Sequence, residues 1–179
     1  MSKKRRMPNL GFKMMVWTYK LVDLIHTPQK KLDKFNIQEG DVVVDYGCGP
    51  GRYVAKAAEI VGHSGQVYAT DIHKMAIDYT NRKFRAKGLK NVTTCLIENG
   101  KAPIENNVAD AIYALDMFHH VDNPETFFAD LYRIIKKNGK LYLEDGHQSR
   151  ETTRNKIVKS DLWNIANESE SYLNLVPKK

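Results

Sequence analysis

The chain has 179 residues, of which 42% are hydrophobic and 27% charged, with 11 glycines, 6 prolines and a formal net charge of +7. This composition excludes a disordered, collagenous or disulfide-scaffold protein and allows one domain, or one domain with an appendage. The charge is uneven: residues 1–34 carry nine basic and two acidic side chains, and the remainder is neutral.

Met1 to Pro8 reads as a basic tail. Leu10 to His26 places apolar residues at helical spacing and predicts an amphipathic helix ending before Pro28. A second short helix is expected over Gln29–Phe35. Residues 1–39 are therefore taken as a basic tail and helical cap, and 40–179 as the main domain. Val42–Val44 is the β-branched run of a strand buried on both faces. Helices are expected over Tyr53–Val61 and Lys74–Lys87, the second closed by Gly88 as its C′ residue. Strands are expected over Gln66–Thr70, Val92–Ile97, Ala109–Leu115 and Lys140–Glu144. A helix over Asn123–Lys136 starts with Pro124 and is closed by Asn138-Gly139. The chain ends with a helix (Glu151–Ser160) and a hairpin of Leu162–Asn167 and Ser171–Val176. The alternation predicts an α/β protein: a doubly wound, seven-stranded, mostly parallel sheet with an antiparallel C-terminal hairpin and an N-terminal helical cap.

Two isolated cysteines, Cys48 and Cys95, form neither a disulfide framework nor a zinc site, and no metal is expected. No apolar run approaches the roughly 20 residues that span a bilayer. The basic N-terminus leads to no uninterrupted apolar region, so the cytoplasm is the expected compartment.

The strongest local signal is Asp45-Tyr46-Gly47-Cys48-Gly49-Pro50-Gly51, between a strand and a helix, where open α/β sheets bind ligands. A dinucleotide fingerprint needs glycine where Arg52 stands, a Walker loop needs a Lys-Ser/Thr pair, and Asp45 would repel a pyrophosphate. The loop suits a ligand with an amine or another positive centre; the plainer reading is a glycine turn before a helix. Asp71, ending the second strand, is placed to accept both hydroxyls of a ribose or to cap the next helix. Glu98, ending the third, is placed to accept from an adenine amine or is a solvated loop carboxylate. Leu115-Asp116 ends the fourth strand, before Met117-Phe118-His119-His120. Glu144-Asp145-Gly146-His147 ends the fifth, facing the same edge or forming a capped turn.

On these motifs the sequence resembles the class I S-adenosylmethionine-dependent methyltransferases, the Rossmann-like small-molecule type that includes quinone-, sterol- and arsenite-methylating enzymes. The resemblance covers about residues 40–146 and, more loosely, the closing hairpin. It implies that Gly47, Cys48, Gly49 and Gly51 line the methionine part of S-adenosylmethionine and that Asp45 holds its ammonium group. It implies that Asp71 takes the ribose hydroxyls, that Ile72 packs on the adenine, and that Glu98, where the family usually has aspartate, takes the adenine amine beside Asn99. Leu115 and Asp116 are expected near the sulfonium. The product would be S-adenosylhomocysteine.

The expected function is methyl transfer to a small-molecule or lipid/quinone-like acceptor. An acceptor that must lose a proton needs a base, and the candidates are Asp116, His119, His120 and His147. Insertions that shape acceptor pockets are almost absent, which leaves Phe12, Trp17 and Tyr19 of the leader to line one. Alternatives are an RNA methyltransferase and a non-catalytic cofactor-binding subunit. Against RNA, Leu115-Asp116-Met117-Phe118 replaces the Asn/Asp-Pro-Pro-aromatic run of many nucleobase methyltransferases. The leader reads as a solvated tail, a contact to anionic lipid or an RNA contact. A homodimer is a further expected partnership, since a second subunit could close an open site.

Overall fold

The structure, a computed structural model, describes residues 10, 11, 14, 16–18 and 28–179. Seven strands form one sheet: β1 (Val42–Tyr46), β2 (Gln66–Asp71), β3 (Val92–Leu96), β4 (Ala109–Ala114), β5 (Ile135–Leu143), β6 (Trp163–Glu168) and β7 (Leu173–Pro177). The helices are α1 (Val54–Val61), α2 (Lys74–Ala86), α3 (Pro124–Ile134) and α4 (Arg150–Ser160). Spatial order is β3-β2-β1-β4-β5-β7-β6. Strands β1 to β5 run parallel, while β7 is antiparallel to both β5 and β6. The expected seven-stranded sheet with its closing hairpin is thus the observed fold.

Because side chains alternate along a strand, neighbouring residues serve opposite faces of the sheet. Val43, Ala111 and Tyr142 pack with α1, α2 and the 3-10 segment Pro28–Lys34. Val44, Ile112 and Leu141 pack with α3, α4 and the hairpin. Burial on both faces is what the continuous apolar runs encode.

Three elements depart from the sequence-based expectation. The segment predicted as a helix over Gln29–Phe35 is a 3-10 turn over Pro28–Lys34. Leu32 and Phe35 are buried, and three residues apart they fall on one side of a three-residue turn. Phe35 stacks on Tyr142, with ring centroids 4.1 Å apart. Helix α3 stops at Ile134 instead of running to Lys136, because Ile135 is extended (φ −69, ψ 142) and opens β5 opposite Ala109. Gly139 is not a helix cap. It lies in β5 within the irregular stretch between Ile135 and Lys140, where a Cβ would come within 2.7 Å of Ile135 and 3.0 Å of the Ala109 carbonyl. Gly88, in contrast, ends α2 with φ +69 and donates to Arg85 O.

The described residues of the predicted Leu10–His26 helix are helical. The basic tail and the candidates Phe12 and Tyr19 lie outside the described residues. No helix among the described residues is long and apolar enough to cross a membrane.

Candidate ligand-binding site

The order of strands reverses between β1 and β4, and open α/β sheets bind ligands at the carboxyl ends of the strands at such a switch. The glycine loop lies there, and its amides are turned inward. Gly47 N and Cys48 N both donate to Thr70 O at 2.8 Å, and Gly51 N donates to Cys48 O at 2.9 Å. Gly49 N donates to Asp71 Oδ2 at 2.9 Å. From α2, Thr80 donates to Gly49 O, and Lys83 Nζ to the carbonyls of Pro50 and Gly51. The loop is thus tied to β2 and α2. At Gly51 (φ +67) a Cβ would lie 2.6 Å from the Phe84 ring, so only glycine fits.

Beneath the loop lies Asp45, only 2% exposed. Its register partner on β4 is Tyr113. Burial pushes the Asp45 carboxyl up to about 8; the Tyr113 hydroxyl offsets part of the rise, and Asp71 adds to it. Among the described residues neither Asp45 Oδ2 nor Tyr113 Oη has a hydrogen-bond partner. A buried acid with the Tyr113 hydroxyl nearby but no hydrogen bond at Oδ2 is costly and suits a cationic or donor ligand. Asp71 is also raised, chiefly by burial. Its Oδ1 accepts from His73 N at 2.7 Å while Oδ2 holds Gly49 N. The helix cap considered for Asp71 is supplied by His73, which accepts from Met75 N.

The other predicted cofactor residues separate into a surface and a core group. Ile72 is 39% exposed, beside the end of β3, where Ile97 N donates to Asp71 O. Glu98 and Asn99 are exposed. Glu98 and Lys101 exchange backbone hydrogen bonds across Asn99-Gly100, both at positive φ, which is a tight two-residue turn. Cys48 and Leu115 are buried. The Cys48 thiol is pushed up by burial and then by Asp45 and Asp71, so it stays protonated. Cys48 shapes the loop from inside.

At the ends of β4 and β5 the structure gathers a second group. Asp116 has φ +53, and its amide donates to Glu144 Oε2 at 3.0 Å. The buried Glu144 pairs through its other oxygen with Lys31 of the N-terminal 3-10 segment. Tyr53 packs there too, its hydroxyl pushed up by burial first and then by Glu144, with Arg52 opposing. His119, His120 and His147 form one cluster, with ring centroids 3.8 Å (His119–His120) and 4.6 Å (His119–His147) apart. Burial, then His120 and His147, lower the His119 pKa and keep its imidazole neutral. Gly146 packs against that ring: a Cβ there would lie 1.9 Å from His119 Nδ1. No group among the described residues is arranged to hold a metal ion.

Tyr113, Tyr53 and Lys31 were not picked out by the sequence. Tyr113 reads as an apolar strand position until the register sets it opposite Asp45. Lys31 reads as one more charge of the leader until the 3-10 segment brings it to β5. Trp17 is 66% exposed.

Fold and site together define an α/β protein with a glycine loop over a buried acid at the switch in strand order. Residues 44–143 match the model of the methyltransferase domain family, and the chain belongs to that family. It is 29% identical over 114 residues to a probable cobalt-precorrin-6B C(15)-methyltransferase of Saccharolobus solfataricus, covering 63% of this chain and 56% of the relative. It is 27% identical over 110 residues to a demethylmenaquinone methyltransferase of Geobacillus, covering 62% and 47%. It therefore spans about half the length of these curated relatives. Among solved structures, an S-adenosylmethionine-dependent methyltransferase from Aquifex aeolicus superposes with a TM-score of 0.71 at 28% identity, covering 83% of this chain and 87% of that one.

Proposed function

We propose that the protein binds S-adenosylmethionine at the β1 loop and transfers its methyl group to a small, largely apolar acceptor of the quinol or lipid-like kind. The observation that carries this reading is the loop itself: three of its amides are bonded to β2 and a fourth within the loop, and the buried acid beneath it has no hydrogen bond at Oδ2. A phosphate-binding loop offers N–H groups to its ligand. This loop instead presents a buried acid, which fits a ligand bearing an ammonium and a sulfonium.

When bound, S-adenosylmethionine supplies a methyl carbon on a positively charged sulfur, ready for in-line displacement. Asp45 binds the ammonium group and ionises as it does so. The Asp71 oxygens each retain an acceptor lone pair beside the amides they already hold, enough to take the ribose hydroxyls. Ile72 offers an apolar surface for the adenine, and Glu98 an acceptor for its amine. Leu115 and Asp116, which follow β4, would border the methyl group. Of the basic groups at this end of the sheet, neutral His119 is in the form that accepts a proton from an acceptor hydroxyl. A demethylmenaquinone methyltransferase among the relatives supports the quinol-like class. The reduced, buried Cys48 and Cys95 support a cytoplasmic setting.

The test is calorimetric titration with S-adenosylmethionine, S-adenosylhomocysteine and NADH, followed by a methyl-transfer screen over hydroquinones, sterols and tetrapyrroles. Binding of the first two ligands and transfer to hydroquinones is the expected result. Binding of NADH alone would overturn the ligand assignment, and transfer only to tetrapyrroles the acceptor class.

A further inference from the structure

We infer that the N-terminal segment docks the protein on an anionic lipid bilayer. Leu10, Met14 and Trp17 stand at i, i+4 and i+7, one face of a helix. The described residues around them are helical, and Thr18 Oγ1 donates to Met14 O at 3.0 Å. The three side chains are 70, 64 and 66% exposed. Only two other large apolar side chains among the described residues, Ile72 and Val158, are exposed. Single exposed apolar residues are ordinary; three in one helical stripe mark a surface that something covers.

Charge identifies the occupant. Residues 1–34 hold nine basic and two acidic side chains, and the remaining chain is neutral. A second copy of this chain would set one basic leader against another. Single-stranded RNA would answer the charge and could stack on Trp17, but would leave Leu10 and Met14 in water. An anionic bilayer answers both at once: its surface potential attracts the lysines and arginines, and the stripe enters the boundary between headgroups and acyl chains. Tryptophan, with its apolar rings and N–H, is suited to that boundary. The same leader continues into the Pro28–Lys34 segment, whose Lys31 pairs with Glu144 beside the candidate site. Docking therefore tethers the site to the surface where a lipid-like acceptor is dissolved. This goes beyond the methyl-transfer reading, and its assay needs no acceptor, so either can fail alone.

The experiment is co-sedimentation of the full chain with phosphatidylcholine vesicles and with vesicles containing phosphatidylglycerol, at low and high salt. Tryptophan emission is followed in parallel. Affinity for the anionic vesicles should exceed that for neutral ones by about tenfold or more and fall with salt. Emission should shift to the blue through Trp17, since Trp163 is buried already. Trp17→Phe should abolish the shift, and the triple variant Leu10→Ser, Met14→Ser, Trp17→Ser should lose binding while keeping the parent's thermal transition. Equal binding to both vesicle types, or binding that survives the triple variant, would overturn the inference. So would lipid-free dimerisation lost in the triple variant, or saturable binding of single-stranded RNA without vesicle binding.

Discussion

Asparagine at position 45 keeps the shape of the side chain and removes its charge. In the folded chain burial holds the Asp45 carboxyl at about 8, against 3.8 for an exposed aspartate. Between those values the native state holds a proton that the unfolded chain releases. The stability this contributes is complete below about pH 4 and is lost as the pH rises through about 8. At about 1.4 kcal/mol per pH unit the whole difference is about 6 kcal/mol, an upper bound because water entering around an ionised carboxylate lowers the cost. Asp45→Asn has no proton to lose. Its stability relative to the parent should therefore improve by about 4 kcal/mol between about pH 5 and about pH 8, as read from urea unfolding at each pH. A relative stability that changes by less than about 1 kcal/mol over that range would refute the reasoning. Ligand binding should move the opposite way. S-adenosylmethionine should bind the parent more tightly as the pH rises toward about 8, with proton release seen in calorimetry across buffers of different ionisation enthalpy. The variant should bind about 10- to 150-fold more weakly, the equivalent of one charge-assisted hydrogen bond, and its affinity should not follow pH.

Two further substitutions test the frame around the site. Asp130 is buried and accepts from Tyr46 Oη and Ala102 N, each at 2.9 Å, and pairs with Arg133 at 2.7 Å. Asp130→Ala leaves Arg133 with the carbonyls of Ala102 and Ile104 but strands two buried donors, Tyr46 Oη and Ala102 N, so the urea midpoint should fall by the equivalent of about 2–5 kcal/mol. Gly146→Ala sets a methyl group against His119 Nδ1. Turnover of a confirmed acceptor should drop about tenfold or more, with S-adenosylmethionine affinity measured by calorimetry unchanged, because a displaced base costs orientation and not cofactor contacts.

Much of this molecule is legible along the chain because its signals are local. Val42–Val44 is a strand in any context that buries both its faces, and Gly88 ends α2 because a positive φ is cheapest there. Asp45, Asp71, Glu98 and Asp116 could be assigned to one edge because each closes a strand in an alternating pattern, and parallel strands put all their carboxyl ends on one side. The acidic, glycine-rich loop likewise excluded phosphate ligands through its residue types alone. What the chain order could not convey is register and long-range pairing. Ile135 abandons the helix because Ala109 lies opposite it, a contact 26 residues away in sequence. Tyr113 joins the site because β4 pairs with β1 at Asp45. Lys31 belongs to it because Glu144, 113 residues on, is buried and ionisable. The inward bonding of the loop amides depends on Thr70 and Asp71 of the neighbouring strand. Residue types therefore determined which chemistry the edge can hold, while tertiary packing decided which groups remain unsatisfied there, since desolvation exists only once the chain has folded around them.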